Sequence, residues 1–180
     1  MSASGNCGHG CPPLLSIRAA RVNVPPDDFT AMTGSINCMT PTLLEHQQQW
    51  LAPLLLMSDS QQRLARLVEE ARRRPTLAAA LRVEAHRVEG CLVRVWFVAE
   101  ARDGRCYFQC DSDAVSLKAV GGLLCDLHSG HSSEEIAASS SGVLAQLTIL
   151  PQLAENRQRT IARIEEKIRR FAEEQETKGR

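Results

Sequence analysis

Apolar residues change their spacing twice along this chain, dividing it into helical, extended and again helical stretches. From Leu43 onward, Leu43, Leu44, Trp50, Leu51, Leu54 and Leu55 predict a short apolar helix interrupted near Pro53. Ser58 or Asp59 caps a second helix, in which Leu64, Leu67, Val68 and Ala71 recur at the helical period until Pro75. Beyond an alanine-rich stretch the pattern turns to strand chemistry at Val83 to Val88, Leu92 to Ala99 and Arg105 to Cys110. The tight Arg102-Asp103-Gly104 joint predicts a hairpin between the last two. Ser112 or Asp113 then caps a helix through about Leu127, ended by Gly130. Ser132 with Glu135 three positions on is a capping box for another short helix, closed by Ser139-Ser140-Ser141-Gly142. In the final long helix Ile161, Ile164, Ile168 and Phe171 share one face, opposite Glu165–Arg169 and Glu166–Arg170 pairs.

Helices, then three strands, then helices describe an α+β domain in which helices cover one face of an antiparallel sheet. At 180 residues the chain has room for one such domain with a tail. Residues 1–42, rich in Gly, Pro, Ser and Thr without sustained period, read as a disordered extension; Met39 is an alternative start. The domain is expected over 43–176 and a disordered tail over 177–180.

Lys+Arg and Asp+Glu balance at 21 each, so no field that would capture nucleic acid or an anionic membrane is implied. The longest apolar run, Trp50 to Met57, contains Pro53 and falls far short of the roughly 20 residues of a membrane helix. Seven scattered cysteines do not form a disulfide framework, which points to a reducing compartment, the cytoplasm. Residues 1–42 lack the charged and apolar regions of a secretory signal; read as a transit peptide instead, they would place the protein in an organelle.

Cys91 lies between two strand signals, directly after Gly90, whose backbone freedom permits a sharp turn that would carry the next side chain to a loop tip. A thiol so placed can be handed to a second protein, and Leu92 and Trp96 are apolar neighbours that could shelter it. On these residues alone, a buried apolar cysteine and a reactive one both remain open. Cys106 and Cys110 would sit ~13 Å apart on one strand, too far to share a metal ion or a disulfide, and read as core or sheet-face residues. Cys125, His128 and His131 have zinc-like spacing, but Cys125 belongs to an apolar helix face and a fourth ligand is lacking. Cys7-Gly-His-Gly-Cys11 reads as a soft-metal or reversible disulfide motif, or as inert linker. Asp111 and Asp113 flank a helix start, where capping is their ordinary work.

Several segments, in order, resemble the SufE family of sulfur-acceptor proteins between about Leu43 and Phe171. They are Gln61-Gln62-Arg63-Leu64 through Leu67-Val68-Glu69 to Pro75, Gly90-Cys91 with Val95-Trp96, Asp111-Ser112-Asp113-Ala114, Leu127-His128-Ser129-Gly130 leading to Glu134-Glu135-Ile136, and Leu153 with Arg157 four residues on. The chain departs from the family pattern at Val93, where Ser is common, at Cys110, where Gly is common, and at Glu155-Asn156, where Pro-Ser is common.

The resemblance implies the SufE/IscU-like α+β fold, with a three-stranded antiparallel sheet, helical terminal segments and Cys91 on the loop between the first two strands. It makes Cys91 the persulfide acceptor, with Asp113 and Arg157 supporting. It further implies that a SufS-type cysteine desulfurase donates the sulfur and a SufBCD-type cluster scaffold receives it. On this reading the chain binds no cofactor itself; pyridoxal phosphate belongs to the desulfurase. The chain would act with that enzyme rather than alone, as a monomer or weak dimer. An iron–sulfur scaffold or metal chaperone of the same fold is the alternative.

Overall fold

The computed structural model describes residues 41–139 and 142–178, so the extension with Cys7, Cys11 and Met39 lies outside the described residues, as do Ser140, Ser141 and the last two positions. Helix α1, Leu43–Leu55, opens with a reciprocal capping box between Thr42 and Glu45 and buries Leu43, Gln47, Leu51 and Leu54. It runs through Pro53 rather than stopping there, because burial of Leu51 and Leu54 on either side offsets the backbone bond that proline removes. Helix α2, Ser60–Arg73, is capped by Asp59, which accepts from the Gln61 N–H, and ends just before Pro75. Arg63 fastens the turn between the two helices, donating to the carbonyls of Leu54 (3.1 Å) and Met57 (2.7 Å) and reaching across to that of Leu147 (2.9 Å).

Strands β1, Val95–Arg102, and β2, Arg105–Ser112, form the hairpin expected from Asp103-Gly104, and both turn residues have positive φ (53° and 72°). The sheet is three-stranded and antiparallel, but its third strand is not the one expected. Val83 to Val88 forms a 3₁₀ turn at Glu84–His86 with one bridge, Arg87 to Trp96; of that segment only Val88 is buried, too little to hold a strand on the core. The third member is instead β3, His131–Ser132, which pairs with the far edge of β2 after helix α3, Val115–His128. Consequently the loop carrying Cys91 precedes β1 rather than joining two strands, and β1 itself begins at Val95, not Leu92.

Helix α3 lies on β2 and is buried along most of its length, including Leu117, Val120, Leu123, Leu124 and Leu127. Its N-terminal residue is not capped as expected: Ala114 occupies the cap position, while the Ser112 hydroxyl accepts from the Ala114 N–H (3.1 Å). Gly121 allows the close approach of strand to helix, since a Cβ there would fall 2.7 Å from Cys110 Sγ. Helix α4, Ser133–Ala138, opens with the predicted Ser132–Glu135 capping box.

Helix α5, Glu155–Lys178, closes the core with Ile161, Ile164 and Ile168 buried and Phe171 edge-on to Phe108 (5.7 Å between ring centroids). The helix continues two residues past 176. On its outer face the ion pairs differ in partner from those expected: Arg169 pairs with Glu166 and Glu173, and Arg170 with Glu174. Among the described residues no helix is long and apolar enough to cross a membrane.

Candidate functional site: a thiol between a glycine turn and the last helix

Glu89 and Gly90 make a turn in which Gly90 takes φ +66°, a conformation other residues adopt only with strain. The following Cys91 is half-buried, and Leu92 beyond it is 86% exposed, open to solvent rather than closed over the thiol. Trp96 is buried, with the Arg82 guanidinium stacked 4.3 Å from its ring centroid. Leu92, expected to shelter the sulfur, therefore does not.

What faces the thiol is α5, through buried Thr160 and exposed Arg163. Thr160 Oγ1 lies 3.3 Å from Cys91 Sγ and 2.9 Å from the Asn156 carbonyl, and its single hydrogen can serve one of them at a time. Arg163, one turn further, donates through Nη1 to the Glu89 carbonyl (2.8 Å) and brings the same nitrogen to 4.0 Å from Cys91 Sγ. A Cβ at Gly90 would meet Arg163 Nη1 at 2.6 Å, so any larger residue there would displace the guanidinium from its place by the sulfur. The Cys91 S–H can donate to the Glu89 carbonyl (3.7 Å). The sulfur thus has an acceptor for its proton in the thiol form and two donors for negative charge.

Asp113 does not touch Cys91. Its carboxylate accepts from Arg94 Nε (2.6 Å) and Arg82 Nη2 (3.2 Å), while the Ser112 hydroxyl donates to the Arg94 carbonyl (2.9 Å). Arg94 forms the downstream stem of the Cys91 loop, so the Asp111-Ser112-Asp113 stretch pins that stem. Asp111 is buried and satisfied by the N–H groups of Leu77 and Ser112 (each 2.9 Å), with Lys118 Nζ at 3.5 Å. Arg157 donates to Ser116 Oγ (3.2 Å), which seats the first turn of α5 against α3.

The remaining described cysteines are not part of this site. Cys106 and Cys125 are buried and burial pushes both thiols up, Cys125 well up, with a hydrogen bond to the Cys110 thiol adding to the effect. His128 Nδ1 donates to the Leu124 carbonyl (2.8 Å) and His131 Nε2 faces His46 Nδ1 (2.9 Å), so neither turns toward Cys125. Among the described residues no group of three or more His, Cys, Asp or Glu could hold a metal ion.

Neither Thr160 nor Arg163 is among the site residues expected from the sequence. Thr160 did carry a signal: four positions before Ile164, it is a polar residue on the apolar stripe of the last helix.

A family model described as an Fe-S metabolism associated domain, SufE, matches residues 48–172. The chain belongs to the SufE family. Residues 48–172 take in the Cys91 turn, the pinned stem and the part of α5 that faces the sulfur. Among solved structures, this SufE-family chain is similar to the solution structure of a hypothetical protein from Thermus thermophilus, with TM-score 0.60 and 19% identity over 73% of this chain and 96% of that one. That likeness is one of fold. No curated protein is similar enough to match.

Proposed function

We propose that this chain takes the outer sulfur of a persulfide onto Cys91 from a cysteine desulfurase, speeds that enzyme by clearing its sulfur, and passes the sulfur to an iron–sulfur cluster scaffold. The observation that carries the reading is the placement of Cys91 on a SufE domain: a half-buried thiol at a glycine turn, with Thr160 and Arg163 facing its sulfur and an exposed Leu92 beside it. The Cys91 thiolate attacks the donor's outer sulfur in line, the donor's S–S bond breaks, and the donor cysteine leaves as thiolate. No net oxidation occurs, because one S–S bond replaces another. Pyridoxal phosphate does its chemistry on the donor.

In this scheme Leu92 offers an apolar contact to the docking protein, and the turn at Gly90 is the element that swings the thiol toward it. Asp113 and Arg157 act as positioning residues, the first through Arg94 and the second by seating α5. Incubation with a desulfurase and cysteine carrying radiolabelled sulfur tests the reading. Label should transfer to the full chain, leave on treatment with a thiol reductant, and fail to appear in Cys91→Ser, which should also fail to stimulate the desulfurase. Label that persists in Cys91→Ser contradicts it.

A further inference from the structure

The following inference rests on the reading of Cys91 as a sulfur acceptor and concerns where the accepted sulfur goes. On α5, Arg159 pairs with Glu155, Arg169 with Glu166 and Glu173, and Arg170 with Glu174. Arg163 pairs with no carboxylate among the described residues; its Nη1 is bound to the Glu89 carbonyl at 2.8 Å and lies 4.0 Å from Cys91 Sγ. An unpaired guanidinium, permanently charged, is thus laid over Gly90 against the reactive sulfur.

We propose that Arg163 binds the anionic outer sulfur of the Cys91 persulfide while Thr160 holds the inner one. An S–S bond of about 2.05 Å extends the side chain by one sulfur, enough to bring the terminal atom within ion-pair range of a guanidinium that stands 4.0 Å from Sγ. The ligand is a terminal sulfur monoanion. Its proton goes to solvent, no bond to carbon, nitrogen or oxygen changes, and the guanidinium keeps its charge. Thr160 turns its hydrogen from the Asn156 carbonyl, 2.9 Å away, to the inner sulfur, 3.3 Å away. The outer sulfur is thereby parked against α5, where bulk thiols reach it less readily than at a loop tip.

The test needs no desulfurase. The full chain and its Arg163→Gln and Arg163→Lys variants are loaded with inorganic polysulfide, and the Cys91 persulfide is alkylated with iodoacetate, an anion, and with neutral iodoacetamide. A cation about 4 Å from the nucleophile is worth about fivefold in water, so the iodoacetate-to-iodoacetamide rate ratio should fall about three- to fivefold in Arg163→Gln and recover by half or more in Arg163→Lys. Persulfide lifetime against added glutathione should shorten in parallel. Loosening of the loop alone would raise both alkylation rates equally and leave the ratio unchanged in either variant; that result overturns the assignment, as does failure of polysulfide to load Cys91. An unchanged ratio would leave the acceptor reading standing, whereas failure of a desulfurase to label Cys91 would end that reading whatever the ratio.

Discussion

Thr160 Oγ1 stands 3.3 Å from Cys91 Sγ although the two residues are 69 positions apart in sequence. The hydroxyl is buried, and α5 holds it there through the Asn156 carbonyl of the preceding turn. A threonine-to-valine change keeps the shape and removes the hydrogen, so Thr160→Val isolates the hydrogen bond. Sulfur uptake by Cys91 should slow roughly two- to twelvefold, the range of one hydrogen bond worth about 0.5–1.5 kcal/mol, with little change in unfolding temperature. Single-turnover uptake of labelled sulfur measures it; an unchanged rate would remove Thr160 from the site.

Gly90 has φ +66°, and a Cβ there would fall 2.6 Å from Arg163 Nη1 and push the guanidinium aside. Gly90→Ala should therefore destabilise the domain by about 1–2 kcal/mol from the backbone alone, plus a steric part. Adding Arg163→Ala should remove the steric part and leave the backbone part, a coupling that a double-mutant cycle in urea detects. Full additivity would show that the guanidinium is not held over the glycine.

Asp113 holds the stem of the Cys91 loop through Arg94 and Arg82. All three side chains are partly exposed, so the ion pairs themselves are worth about 1 kcal/mol or less. The larger consequence is local: in Asp113→Ala, Cys91 should react with iodoacetamide severalfold faster because its loop opens more often, while the urea midpoint moves little. Equal reactivity in the two proteins would show that the loop is held without Asp113.

Much of this architecture is legible in the pattern of residues, and the exceptions have physical causes. The hairpin is signalled by Asp103-Gly104, the α4 cap by Ser132 and Glu135, and the core face of α5 by its isoleucines, because each depends on neighbours in sequence. The third strand leaves no mark in the sequence, since a two-residue pairing at His131–Ser132 is set by the return of the chain from α3 and has no period of its own. Val83 to Val88 begins and ends on β-branched residues but buries only Val88. The surroundings of Cys91 are hard to read for a related reason: Leu92 is near in sequence yet exposed, whereas Thr160 and Arg163 arrive from a distant helix.

A histidine chain predicts how stability follows pH. Trp50 Nε1 donates to His46 Nε2 (2.8 Å), so neutral His46 carries its hydrogen on Nδ1 and gives it to His131 Nε2 (2.9 Å). Protonating either ring breaks one of these bonds. Burial lowers the pKa of His46, His131 and His128 below the ordinary 6.5, with Asp126 and Glu135 only partly opposing it at the first two. The unfolded chain then binds more protons than the folded one as pH drops past 6.5 toward the lowered folded values, and stability is lost over that interval. The urea midpoint should fall between about pH 7.5 and 5.5, and fall less steeply in His131→Gln. A flat wild-type profile would show that the rings are not buried neutral.

The claim on which the account turns is that sulfur resides on one particular thiol. Intact-mass spectrometry of the full chain after a desulfurase has turned over cysteine measures this directly. The account predicts a gain of one sulfur atom that thiol reductant removes, that is lost in Cys91→Ser, and that is kept in Cys106→Ser, Cys110→Ser and Cys125→Ser. A gain that survives Cys91→Ser, or none in the wild type, would contradict it.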